Sequence, residues 1–181
     1  MSCDISAGRL VPCKDSVGGI KNLFFVDYGK IESFVLTNDE ITSLVGNFDA
    51  FKYELTGANS LETSITSSPE NGTTFFESTL TVNLQKLTKE DNVQVKLLAY
   101  GRPLIVVQTN NNQFILVGLE NGCSVSGGSL VTGAAFADMA GYSLTFSSSE
   151  ILPPNFIAGA TEEDPFEGTG ATANIIVGTN S

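Results

Sequence analysis

The chain contains no histidine and no tryptophan. Without histidine it lacks the commonest general base at neutral pH, the usual partner of a nucleophilic Ser or Cys, and the commonest zinc ligand. Most hydrolase readings are thereby weakened. Without tryptophan it lacks the usual stacking platform for sugar rings, which ranks a carbohydrate-binding module last among the functions considered. Cysteine is sparse. Cys3, Cys13 and Cys123 form an odd set with no CxxC pair, which argues against a disulfide framework and against a zinc site. They are expected to be reduced, small and mostly buried, with a Cys3–Cys13 bridge closing the N-terminal arm as the alternative.

Positive charge is missing beyond Arg102. All nine Lys and Arg lie at or before Arg102 with thirteen of the twenty carboxylates, while residues 103–181 hold the other seven carboxylates and no base. The net charge of −11 disfavours nucleic-acid binding, because affinity for phosphate comes from Lys and Arg releasing condensed counterions. Its plain meaning is solubility. No apolar run approaches the roughly 18 to 20 residues of a membrane span, and "MSCDISAGRL" lacks the basic-then-apolar order of a signal peptide. A soluble protein made in a cytoplasm, without a membrane partner, is expected. Phosphate loops are missing too. Residues 118–150 hold six glycines but neither GxGxxG nor GxxxxGK[ST], and a strand rather than a helix follows them.

What is present is alternation. A chain of 181 residues fits one domain with a real core. Residues 1–19 read as an extended arm with turn residues Gly8, Pro12, Gly18 and Gly19, and "IKNLFFVDY" at 20–28 as the first strand. Residues 36–45 fit both periods poorly and stay open between a short helix capped by Thr37 or Asn38 and a strand-edge turn. Between 49 and 86, "DAFKYELTG" sets Phe51, Tyr53 and Leu55 against Lys52, Glu54 and Thr56. "TTFFESTLTVNLQKL" does the same with Phe76, Leu80, Val82 and Leu84 against Glu77, Thr79, Thr81, Asn83 and Gln85. With Asn71-Gly72 as a turn, this predicts a long antiparallel hairpin with one apolar and one polar face.

A helix is predicted over 89–100, capped by Thr88, with Glu90 and Asp91 in its first turn and Gly101 and Pro103 as stop signals. Val93, Leu97 and Tyr100, at i, i+4 and i+7, form its expected inward stripe. A second hairpin turns at "TNNN" (residues 109–112), and residues 142–148 alternate Tyr142, Leu144 and Phe146 inward with Ser143, Thr145 and Ser147 outward. Residues 153–181 are rich in Pro, Gly and acids and read as a second arm, ordering on a neighbour. The pattern is that of a mainly β (α+β) domain at 20–152 between two arms, 1–19 and 153–181.

No catalytic constellation emerges. Glu54 and Glu77 can face each other across the hairpin, but a solvated β-face accounts for them better. "TEEDPFE" clusters Glu162, Glu163, Asp164 and Glu167 without the alternating oxygen ligands of a calcium loop. Neither enzymatic activity nor a metal or cofactor is expected.

Three strings, "CDISAGRLVPCKDSVGGIKNLFFVDYG", "LLAYGRPLIVVQTNNNQFILVGLENG" and "TGAAFADMAGYSLTFSSSEILPPNF", cover about half the chain and resemble the tail tube proteins of phages that infect Bacteroidetes and related hosts. That resemblance implies a small antiparallel β-barrel or sandwich with one flanking helix, assembling into stacked, usually six-fold rings that form a hollow conduit for DNA. It implies a virion protein, assembled in the host cytoplasm, whose partners are copies of itself and the tail completion and connector proteins. DNA passes without specific binding. The polar positions of the hairpin, Lys52, Glu54, Glu62, Ser64, Glu77, Thr79, Thr81, Asn83 and Gln85, are then expected to line the lumen, and the glycine-rich stretch to be a loop that allows close subunit approach and sharp chain reversal. The alternative within the same class is a head decoration or connector protein of such phages.

Overall fold

The computed structural model describes residues 3–178. Its strands, in chain order, are β1 (Ile20–Val26), β2 (Ser33–Thr37), β3 (Glu40–Val45), β4 (Asn47–Glu54), β5 (Ser60–Ser68) and β6 (Thr73–Gln85). After helix α1 (Lys89–Tyr100) come β7 (Leu104–Thr109), β8 (Phe114–Val117), β9 (Ser124–Val131), β10 (Gly141–Glu150), β11 (Asn155–Ile157) and β12 (Thr172–Val177). An eight-stranded sheet runs β12-β4-β1-β7-β8-β11-β3-β2, and a four-stranded sheet runs β5-β6-β10-β9. The chain is thus a mainly β, α+β sandwich with one helix. Both sheets have open ends, so of the two expected architectures the closed barrel is not the one formed.

The central strands of the large sheet explain why the sequence alternates in some places and not in others. β1 ("IKNLFFV") and β7 ("LIVVQT") are buried along nearly their whole length, because each face of the sheet meets a core, and such strands read as continuous apolar runs. On one face Leu23, Phe25, Ile105 and Val107 pack against Leu80, Val82, Leu144 and Phe146 of the small sheet. Phe25 meets Tyr53 edge-on at 4.9 Å and Phe146 at 5.6 Å between centroids.

The opposite face closes on itself. A second core gathers Phe24, Val26, Ile41, Leu44, Phe48, Ala50, Val106 and Leu116 from strands across the whole sheet, which requires the sheet to curl around them. Gly46 alone separates β3 from β4, yet these strands lie near opposite ends of the sheet. A Cβ at Gly46 would stand 2.6 Å from the Lys30 carbonyl oxygen, so the bend takes glycine for lack of space.

Residues 153–178 are not the arm that composition predicts. β11 inserts between β8 and β3, and β12 lies parallel to β4 over six residue pairs. The connecting segment drops Phe166, fully buried, onto Phe48 in an edge-on contact at 5.0 Å. The acidic cluster shapes this segment: Asp164 Oδ1 accepts from the Phe166 N–H, and Thr161 Oγ1 donates to Glu167 Oε2. Lys21 Nζ donates to Glu162 Oε2 at 2.7 Å and holds that carboxyl below the usual range. Among the described residues no group of three or more His, Cys, Asp or Glu is placed to hold a metal ion.

One reading left open is decided and one further expectation needs correction. Residues 36–45 belong to a hairpin, β2 to β3, turned by Asn38 and Asp39 at φ 52° and 61°, the left-handed pair of a two-residue turn. Helix α1 begins as expected, with Thr88 Oγ1 accepting from the Asp91 N–H at 3.0 Å. Its inward side is instead Val95 and Leu98, half-buried against the inter-sheet core. The expected stripe faces outward, Val93, Leu97 and Tyr100 being 49%, 58% and 81% exposed. Apolar residues occupy both sides of this helix, so its period alone names no inner side. No helix among the described residues is long and apolar enough to cross a membrane.

Candidate assembly surface

The outer face of the small sheet collects seven of the nine polar residues expected to act together. Glu62 and Ser64 of β5 stand opposite Thr79 and Glu77 of β6, with Thr81, Asn83 and Gln85 following along the same face. β10 extends it with Ser143, Thr145, Ser147 and Ser149, and β9 with Ser124, Gly127 and Ser129. The alternation of β10 marks its hydroxyls as outward-facing, but only the register places them beside β6. The face carries many hydroxyls, two carboxylates on diagonal positions and no Lys or Arg. Asn83 is also a brace, since its Nδ2 donates to the Ala58 carbonyl at 2.8 Å and its N–H to Asn59 Oδ1 at 2.7 Å.

Lys52 and Glu54 do not belong to that face. They sit on β4 in the other sheet, opposite Phe24 and Asn22 of β1, with Lys52 Nζ 6.0 Å from the Phe24 ring centroid. The chain crosses between sheets at Gly57, where φ is 84°, so the predicted hairpin of 49–86 is really β5 and β6 alone. Periodicity assigns a side chain to a face but does not say which sheet owns it.

Both edges of the small sheet are open. β9 reads "SVSGGSLV", without a charge or a proline to discourage pairing. The glycine-rich stretch is thus not wholly the expected loop, since its middle forms strand β9. A Cβ at Gly128 would meet the Ser143 carbonyl oxygen at 2.7 Å, whereas one at Gly127 would meet nothing within 4 Å. At the other edge, β5 and β6 remain paired out to Ser68 and Thr73, beyond Phe76, where pairing with β10 stops. The hairpin tip projects past the sandwich and leaves Ile65 67% exposed. Between α1 and β9 runs an open groove of about 450 Å³, lined by Val95, Ala99, Val125, Leu130 and Leu144. Lys96 is the only charged residue lining it among the described residues.

Residues 3–19 form neither helix nor strand and are exposed, with Ile5, Leu10 and Val11 more than 90% accessible. The root of this arm is fixed: Val17 N–H donates to Asn111 Oδ1, Asn111 Nδ2 to the Val17 carbonyl, and Asn110 Nδ2 to the Gly18 carbonyl. In the loop after β9, Asp138 Oδ2 accepts from the N–H groups of Ala134 and Ala135, which lowers its carboxyl below the ordinary value and leaves Phe136 fully exposed at the tip.

The cysteines divide differently from expectation. Cys3 and Cys13 are free and exposed; Cys123 is buried, and burial, with the Glu150 carboxylate, pushes its thiol up to about 12. Thiolate is the nucleophile, so a neutral-pH alkylating agent should label two thiols quickly and the third only on unfolding. Because the folded value lies above the ordinary 9.0, the stability contribution of the neutral thiol is complete below pH 9 and declines as pH rises toward 12. Rapid labelling of Cys123 in the native protein, followed by peptide mass spectrometry, would contradict this.

The chain matches no protein-family model, and neither a curated protein nor a solved structure is significantly similar to it.

Proposed function

We propose that this chain is the repeating subunit of a hollow tube, with the outer face of its four-stranded sheet as the lumen wall and no enzymatic activity of its own. One observation carries the proposal: a continuous hydroxyl-rich, carboxylate-bearing and base-free face lies on a sheet whose two edge strands, β5 and β9, are both open. Joining β5 of one copy to β9 of the next removes both edges, as ring closure requires. Every pair in the sheet is antiparallel. With four strands per copy, a rotationally symmetric joint is antiparallel as well, so the wall has one uniform hydrogen-bonding pattern. A wall without ammonium or guanidinium groups releases no counterions from passing DNA and does not retain it. The resemblance to phage tail tubes supports this reading and supplies its six-fold ring, its virion location and the DNA cargo.

Electron micrographs and the solution mass of the purified protein, before and after concentration, test it. Rings or long hollow tubes of one diameter are expected. A protein that remains monomeric at every concentration, or forms only closed dimers, contradicts the proposal. Discs of the purified protein that never stack favour a head protein instead.

A further inference from the structure

We infer that the groove between α1 and β9 is the seat of the β5–β6 hairpin of a second copy of this chain, which enters staggered by four residues; this rests on the tube reading above. The groove and the hairpin tip are complementary apolar surfaces that the single chain leaves unmatched. Val125 and Leu130 of β9 line the groove beneath Val95 and Ala99 of the helix. Leu61 and Ile65 point to the same side of the sheet from β5, and Ile65 is two-thirds exposed.

The stagger follows from closure. Within one copy, Ser60 stands in the same row as Gly127, through Thr81 and Thr145. An unshifted neighbour would bring only Ser60 to Glu62 level with β9 and leave the rest of both edges open. Strands of closed barrels tilt by about 35 to 45°. Four strands about 4.8 Å apart then displace the neighbour's β5 by about 13 to 19 Å, or about four to six residues. An odd shift would turn Ile65 to the wrong face. A shift of four sets Leu61 beside Leu130 and Ile65 beside Val125, aliphatic on aliphatic within the groove. A shift of six sets Ile65 against Gly128 and Ser67 against Val125. Only the sense of tilt that draws the tip toward the groove overlaps the edges at all.

Charge agrees with this occupant. Residues 60–85, the β5–β6 hairpin, hold Glu62, Glu70 and Glu77 and no base. The groove has Lys96 in its lining and no carboxylate, and Lys89 lies on the same helix. Of the carboxylates on that helix, Asp91 lies close enough to Tyr53 of the chain's own body to help raise its phenol pKa, after burial. Attraction between these two surfaces is of the exposed, salt-screened kind.

The test uses the full chain with Cys3→Ser and Cys13→Ser, leaving buried Cys123 in place. Gly127→Cys combined with Ser64→Cys puts both thiols on the outer face, where a Cβ at Gly127 meets open space. Oxidation of the assembled protein is expected to give a ladder of covalent multimers from this pair and no covalent dimer from either single variant. Gly127→Cys with Ser60→Cys, the unstaggered pair, is expected to give none. Ile65→Asp should leave a folded monomer, since the residue is exposed, and lower the assembled fraction at least tenfold. Tubes that cross-link only through Ser60→Cys, or that form normally with Ile65→Asp, overturn the socket while the tube reading stands. A covalent dimer from Gly127→Cys alone shows β9 paired with β9 and overturns both, as does the absence of any assembly by the unaltered chain.

Discussion

Phe166→Ala is expected to destabilise the fold by about 3 to 5 kcal/mol, the range for removing a large aromatic side chain from a packed core. For a chain of this size that is a fall in Tm of about 10 °C. Phe166 has no exposed surface and sits edge-on to Phe48, itself 4% exposed, within the core that the large sheet curls around. Alanine leaves a cavity flanked by strands whose curvature is fixed, so little collapse can fill it. Removing residues 155–178 altogether should abolish cooperative folding. β11 is the link between β8 and β3, and without it the β2–β3 hairpin loses its ladder to the rest of the sheet. β12 covers β4 over six pairs. Thermal unfolding followed by near-ultraviolet circular dichroism checks both. A chain ending at residue 154 that still melts in one sharp transition, or a Phe166→Ala variant as stable as its parent, would show that the segment only rides on a fold completed without it.

The sequence discloses this fold where a residue's environment repeats locally. β6 and β10 alternate because one side meets a core and the other does not, and their inward and outward sets were readable residue by residue. The Asn38-Asp39 turn was also readable in principle, as a left-handed pair between two short alternating runs, but the charged residues around it obscured the period. What stayed hidden depends on contacts between distant segments. Phe166 gives no periodic signal, since the chain around it is irregular and its partner Phe48 lies far back in the sequence. β12 pairs in parallel with β4, a connection that no local turn announces. Lys52 and Glu54 alternate as faithfully as Glu77 and Thr79, and only the crossover at Gly57 removes them to the other sheet. The polar face was therefore legible as a set of residues, while its extent across β9 and β10 and its open edges came from the register.

On the proposed tube reading, Glu62→Lys with Glu77→Lys is expected to leave folding intact, to weaken assembly only by the salt-screened attraction between hairpin and helix, and to convert an inert wall into one that holds DNA. Both residues are exposed on the outer face, away from the core and from the groove lining. Substitutions at such positions change stability by about 0.5 kcal/mol or less. Their electrostatic effect is not small, because the face has no base to begin with and each copy in a ring repeats the change. Lysines spaced along a narrow wall contact successive phosphates, and each contact releases counterions. Binding should then be strong at low salt and fall steeply as salt rises, with log K declining by about 0.9 per phosphate contacted on duplex DNA. The unaltered tube should show no such binding at any salt. Retention of labelled DNA by purified tubes, measured across a salt series alongside micrographs confirming intact walls, distinguishes the cases. In particles carrying the double change, DNA should leave more slowly or stall. If intact charge-reversed tubes neither bind DNA nor slow its passage, the carboxylates of this face serve solubility, and the lumen must lie along a different surface of the sandwich.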